Sequence, residues 1–221
     1  LIDRSANSLH DDLMRTRLIF VRHGESVHQV EGVVGGPHGC RGLTEAGHQQ
    51  AHRLAGRLAD ELAVSGPVAV YSSVLRRAVE TAWPIASALG VSPVADCGLC
   101  AWHTPPYADG LSTARFHTER AVEGGGIFRP FEEGNENWAE LVVRVGRAIM
   151  DIAHRHRGGN VVLVGHSETV EAAFHVLGAQ PLFRGFDMDV ALASVTEWTT
   201  DGDPTGWPPS RWTLRRFSDV S

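Results

Sequence analysis

Arg22-His23-Gly24-Glu25-Ser26 follows directly on the apolar run Leu18-Ile19-Phe20-Val21. A histidine at the end of such a run, with arginine before it and glycine after it, suits the chemistry of an anion. Neutral imidazole is a nucleophile able to attack phosphorus, and its ordinary pKa leaves much of it deprotonated near pH 7. The planar fork of Arg22 matches phosphate geometry better than an ammonium group does. Gly24 lets the backbone turn where a side chain would obstruct it. A second apolar run, Val161-Val162-Leu163-Val164, ends in the same manner at Gly165-His166-Ser167. A third, Val68-Ala69-Val70-Tyr71, feeds Ser72-Ser73-Val74-Leu75-Arg76-Arg77.

Elements on either side must hold these residues in place. The four-residue apolar runs read as short strands covered on both faces. Thr44 is placed to cap a helix reaching Leu62, with Ala51, Leu54, Ala55 and Leu58 at helical spacing. A second helix is expected from Val74 to Leu89, stopped by Gly90 and kinked or interrupted at Pro84. Val91 to Ala95 reads as a short third strand. Asn135 is expected to cap an amphipathic helix to about His156, burying Leu141, Val142, Val145, Ile149 and Ile152. A helix to Leu177 follows His166, and Ala191 to Trp198 and Arg211 to Phe217 alternate as half-buried strands.

Between residues 97 and 134 the periodicity dissolves into Pro105-Pro106, Gly110 and Gly124-Gly125-Gly126, with a short helix around Ser112 to Arg120. Loops of this length inside a domain are lids or binding elements. Strands alternating with helices predict an α/β fold, a three-layer α/β/α sandwich with a mostly parallel central sheet. It would form a single domain over residues 17–221, behind a polar N-terminal extension over 1–16. In such sheets ligands bind beyond the carboxyl ends of the strands. Arg22, His23, one of the two adjacent arginines and His166 are expected to converge there on one anion, helped by a helix N-terminus.

Composition narrows the function. The 221 residues, 43% hydrophobic, fit one large domain with one core. A net charge of −6, from 20 basic and 26 acidic residues, argues against a nucleic-acid surface but not against a small anion. No run approaches the roughly 18 apolar residues that span a bilayer, and residues 1–15 lack a signal-peptide core. A cytoplasmic location is expected, with a small-molecule phosphomonoester as partner, no nucleic acid and no membrane; a homodimer is left open. Cys40, Cys97 and Cys100 are too few for a disulfide scaffold. Cys97-x-x-Cys100-x-x-His103 has the look of a zinc or redox fragment. A structural zinc site takes four ligands, however, and Cys40 is the only other cysteine, so no metal is expected. The loop histidines His28, His38 and His117 read as substrate contacts or as solvated side chains.

Further stretches join the two histidine motifs. They are Gly42-Leu43-Thr44-Glu45-Ala46-Gly47 with Gln50-Ala51, the segment from Ser72 through Arg77-Ala78 to Thr81-Ala82, and Ser194-Val195-Thr196-Glu197-Trp198. In this order they resemble the signatures of the histidine phosphatase superfamily, also called phosphoglycerate mutase-like, over about residues 17–217. The resemblance aligns Arg77 with the family's pocket arginine and leaves Arg76 on a variable position. It implies that His23 attacks a phosphomonoester to form a phosphohistidine, while Arg22, Arg77 and His166 clamp the equatorial oxygens. Water then releases phosphate, and no metal or cofactor is implied. Gln29, where the family often has asparagine, keeps the amide donor on a longer arm and is expected to touch phosphate.

One position departs from the pattern. The resemblance implies a carboxylic acid after the third strand to protonate the leaving alkoxide, and Leu99-Cys100-Ala101-Trp102-His103 places Ala101 there. Four readings follow. Ala101 is an engineered replacement; the acid comes from Glu168, His103 or Asp109; the leaving group needs no proton, as in a phosphohistidine or acyl phosphate; or the protein is an impaired binder of phospho-ligands. The first two are favoured, and the expected activity is a phosphatase of small-molecule monoesters. A phosphomutase ranks behind it, because the longer insertions typical of the family's mutases are not seen here.

Overall fold

The computed structural model describes residues 15–221. Residues 1–14, most of the expected extension, lie outside the described residues, and Thr16 already opens the first strand. Among the described residues the strands are β1 (Thr16–Arg22), β2 (Val68–Ser72), β3 (Val94–Ala95), β4 (Asn160–Gly165), β5 (Val195–Thr200) and β6 (Thr213–Asp219). The helices are α1 (Val27–Glu31), α2 (Glu45–Leu62), α3 (Arg76–Ala88), α4 (Thr113–Glu119), α5 (Trp138–Arg155) and α6 (Ser167–Val176). The sheet order is β3-β2-β4-β1-β5-β6, with β1, β2, β3 and β4 parallel and β5 antiparallel to both its neighbours.

Strand alternation sorts the core into two layers. Leu18 and Phe20 of β1, with Val161 and Leu163 of β4, face α5 and α6. Ile19, Val21, Val162 and Val164 point the other way, onto α2 and α3. β1 and β4 are apolar at consecutive positions because both of their faces are covered, as in a sheet sandwiched between helices. No described helix is long and apolar enough to cross a membrane.

Local chemistry sets the helix boundaries. The Thr44 hydroxyl accepts from the Gly47 N–H at 3.0 Å and caps α2. The cap of α5 is Asn137, not the expected Asn135. The Asn137 side chain accepts from the Glu140 N–H while the Glu140 carboxylate accepts from the Asn137 N–H, a reciprocal capping box. Pro84 does not end α3, because Ile85 and Ala86 beyond it are buried in the layer shared with α2. The strand expected from Ala191 begins only at Val195 and is buried at every position instead of on one face. Its one carboxylate, Glu197, is held by Arg17 at 2.9 Å and Arg216 at 3.0 Å.

Candidate active site

Strand register brings the two histidine motifs together. β1 and β4 are adjacent and parallel, with Arg22 opposite Gly165, and β2 pairs with β4 so that Ser72 lies opposite Val164. The ladder runs on one residue further, with His23 N–H donating to Gly165 O and Ser73 N–H to Val164 O. His23, His166 and Ser73 therefore emerge side by side at the carboxyl edge of the sheet. The helices after β1 and β4 pack on opposite faces, so a crevice opens between the two strand ends. Arg77 enters from the first turn of α3, and His166 immediately precedes α6. Two positive helix ends thus face the same point.

The turn after His23 requires glycines. A Cβ on Gly24 would lie 2.7 Å from Gly47 O, and one on Gly47 would lie 2.0 Å from Glu25 O. Glu25 has a structural part: its Oε1 accepts from the Thr44 hydroxyl at 2.6 Å, and its N–H donates to Gln50 Oε1 at 2.8 Å. These contacts tie the start of α2 beneath the histidine loop.

The tautomer of His23 follows from its partners. Arg77 Nε–H can only donate, and it lies 3.2 Å from His23 Nε2, so Nε2 carries the lone pair. Nδ1 then carries the proton and donates to Gly24 O at 2.8 Å. His23 is buried, and its ring centroid lies 5.1 Å from that of His166 in an edge contact. His166 Nε2 is 2.9 Å from the Ser73 hydroxyl. Arg77 also donates to Gly35 O at 2.8 Å and to Cys40 Sγ at 3.3 Å. Arg22 donates to Val190 O. Two buried nitrogens, Arg22 Nε and His166 Nδ1, have no protein partner among the described residues.

Burial and neighbouring cations set the protonation states. Burial first, then the Arg77 charge, pushes both His23 and His166 well below the usual imidazole value. His28, 6.4 Å from the His23 ring, is lowered to about 4 by the same two causes in the same order. Burial also lowers Arg22, against the opposing charges of Glu168 and Asp189. The folded chain refuses protons that the unfolded chain accepts below pH 6.5. Above that pH these histidines are neutral in both states and contribute no pH dependence; as pH falls from 6.5 toward 4, folded stability is lost. Urea unfolding should show a lower midpoint at pH 5 than at pH 7, recovered in part by inorganic phosphate. An equal or higher midpoint at pH 5 contradicts this assignment.

A cavity of about 600 Å³ opens beside this cluster, and Arg77 is the member of the cluster that lines it. Around it stand Gln29, His28, Ala101, Trp102, Phe116, His117, Glu132, Asn135, Glu168 and Arg184, among others. Ala101 thus borders the same space as Arg77, and Glu168 does so from the first turn of α6. Gln29 is exposed at the rim, its Oε1 accepting from Ser26 Oγ. The other two candidate acids are engaged elsewhere. Asp109 accepts from the N–H groups of Gly36, His38 and Gly39 at 2.9, 2.6 and 2.7 Å, which fastens the glycine-rich loop. His103 turns toward Cys97 Sγ. His28 and His117 reach the cavity and His38 does not. The Glu132 carboxylate, bound to His117 at 2.6 Å and Asn135 at 2.8 Å, and the Ser73 hydroxyl have no signal in the sequence that singles them out.

Proteins similar to this chain identify its family. The histidine phosphatase superfamily (branch 1) matches residues 18–214. The chain is 30% identical to phosphoglycerate mutase-like protein 4 of Arabidopsis thaliana, over 96% of this chain and 88% of that protein. It is 30% identical to a metal-independent phosphoserine phosphatase of the same plant, over 72% and 67% of the two chains. Against some mycobacterial relatives matched at 30% identity it spans about half their length, 51%. In fold it is similar to the mycobacterial glucosyl-3-phosphoglycerate phosphatase, at TM-score 0.76 and 22% identity, covering 93% of this chain and 99% of that one. With its two histidines on adjacent parallel strand ends and its arginine on the neighbouring helix, this chain belongs to the histidine phosphatase superfamily.

Proposed function

We propose that the protein hydrolyses small-molecule phosphate monoesters through a phosphohistidine on His23 Nε2, with Glu168 protonating the departing alkoxide. The observation that carries the reading is the tautomer of His23: its Nε2 lone pair is directed toward Arg77, and its Nδ1 proton is tied back to Gly24. A phosphoryl group beside Arg77 meets a nucleophile that needs no deprotonation. Arg22, Arg77 and His166 surround the equatorial oxygens, and the buried Arg22 Nε and His166 Nδ1 are suited to hold them. His166 in this role donates from Nδ1, with Nε2 accepting from Ser73. Gln29 contributes an amide from the rim. Water then attacks the phosphohistidine, and the fixed cations supply the neutralisation that a metal gives elsewhere. The site is assigned to a protein of the cytoplasm.

Glu168 takes the proton-donor role by position. Ala101 offers no acid, Asp109 is bound by three amides and His103 faces away, whereas Glu168 borders the cavity and its charge reaches Arg22. General acid catalysis matters most where the leaving group is poor. Glu168→Gln should therefore lower kcat/KM for an alkyl phosphate by about 10²–10⁴-fold. For p-nitrophenyl phosphate, whose leaving group departs without a proton, the loss should be far smaller. Ala101→Glu in the Glu168→Gln background should recover part of the alkyl activity. An equal loss on both substrates, or no loss on either, would remove Glu168 from the role. Trp102 and Phe116, which line the cavity together with His117, Arg184 and Asn135, suit a compact polar alcohol as the leaving group. The names of the phosphoserine and glucosyl-3-phosphoglycerate phosphatases point the same way.

A further inference from the structure

A second cluster of reactive side chains lies at the start of the insertion, outside the phosphate site. Cys97 Sγ, Cys100 Sγ and His103 Nε2 all lie within 4.8 Å of one another. The two sulfurs are 3.7 Å apart, and Cys97 Sγ is 3.4 Å from His103 Nε2. Zinc bonds of about 2.3 Å to sulfur and about 2.0–2.1 Å to nitrogen give tetrahedral edges of about 3.8 Å between sulfurs and about 3.6 Å from sulfur to nitrogen. Two of the three edges are thus already at the lengths a zinc ion would impose.

We propose that Cys97, Cys100 and His103 bind one zinc ion and so anchor the first turn of the active-site insertion. Cys97 and His103 are exposed, so the fourth tetrahedral position faces solvent and takes water. Expecting no metal here rested on the need for four protein ligands; three and a water complete the same tetrahedron. On binding, each thiol gives up its proton to solvent as its sulfur–zinc bond forms, and His103 binds as neutral imidazole through Nε2. Two protons leave for each ion, and the site carries no net charge. The reaction needs no oxidant.

The backbone holds the three side chains together before any ion arrives. Arg144 of α5 donates to the carbonyls of Cys97, Gly98, Cys100 and Ala101 at 3.0–3.3 Å, so this turn is wrapped around one guanidinium. Asp96 Oδ1 accepts from Gly98 N–H at 2.7 Å. A Cβ on Gly98 would lie 2.5 Å from Ala148 Cβ, which shows how tightly the turn is seated on α5. On the far side His103 N–H donates to Glu136 Oε1 at 2.8 Å. Ala101 and Trp102, between the second and third ligands, line the cavity. The ion would clamp the wall on the leaving-group side, and the inference does not depend on the reaction proposed above.

The test uses the full chain, reduced and freed of metal with a chelator. Zinc should bind at one equivalent in competition with a chromophoric chelator. Cobalt should give a thiolate-to-metal charge-transfer band together with intense tetrahedral d–d bands. Cys97→Ser and His103→Ala, at exposed positions, should each weaken zinc binding by roughly 100-fold or more while the circular dichroism spectrum stays unchanged. The proposal is overturned if cobalt shows no charge-transfer band, or if Cys97→Ser binds zinc as tightly as the unmodified chain. A Cys97–Cys100 disulfide that resists the reductant would overturn it equally.

Discussion

Replacing His23 by alanine should reduce turnover of any phosphate monoester to the rate of the buffer blank, a loss of about 10⁴-fold or more. The expectation follows from covalent chemistry: without Nε2 the reaction cannot be divided into two displacements, and no neighbour substitutes for it. His166 lies 5.1 Å away by ring centroid, but its Nε2 faces Ser73 and not the phosphoryl position beside Arg77. The substitution removes a buried ring and leaves Arg22, Arg77 and His166 in place, so inorganic phosphate should still bind. Rapid quenching with radiolabelled substrate gives the decisive readout. Protein-bound phosphate that is stable to alkali and labile to acid should appear in the unmodified chain and vanish in His23→Ala. Residual activity within tenfold of the original would reject the phosphohistidine route.

Arg77→Ala is expected to lower kcat/KM by about 10³-fold, the scale seen when one preorganised donor to a transition-state oxyanion is lost. Arg77 has a further effect through His23. Its charge stands second only to burial among the causes that lower the His23 pKa. Removing it raises that pKa, so the acidic limb of the kcat/KM profile moves to higher pH. Arg77→Lys separates the two roles, because an ammonium restores the charge without the bidentate fork. The lysine variant should return the acidic limb toward its original position while recovering only part of the rate. If the limb stays fixed in Arg77→Ala, the guanidinium does not control the nucleophile.

The central half of the site was legible in the sequence because its residues sit at the ends of fully apolar strands. Once β1 and β4 are neighbours in parallel register, Arg22, His23 and His166 have one place to go. Other features left no local trace. α1 is five residues long and buries none of them, so no periodic apolar signal marks it. The full burial of β5 is hidden because its threonines look solvent-facing. Their hydroxyls are instead satisfied internally, Thr196 by Ser218 N–H, Thr199 by Arg215 and Thr200 by Arg211 O. Asn135 and Asn137 are equally good caps by type, and only the position of Glu140 selects between them. Ser73 meets His166 across a separation of 93 residues, and Asp109 meets the Gly36 amide across 73, which no short-range pattern can show. A carboxylate that fastens a loop and one that delivers a proton are the same letter in the chain.

The position of the insertion divides labour within the molecule. The groups proposed to grip and attack phosphorus rest at the ends of β1 and β4 in the middle of the sheet and on the first turn of α3, whereas the insertion departs from β3, an edge strand of two residues. It is joined to the body at more than one place: Arg144 gathers four of its carbonyls, and Asp109 holds the N–H groups of Gly36, His38 and Gly39 in the glycine-rich loop. Any exchange within residues 104–134 must therefore keep Asp109, because the loop it fastens carries the Gly35 carbonyl that accepts from Arg77. For enzyme design the insertion is a specificity cassette that can be varied on either side of Asp109 but not at it.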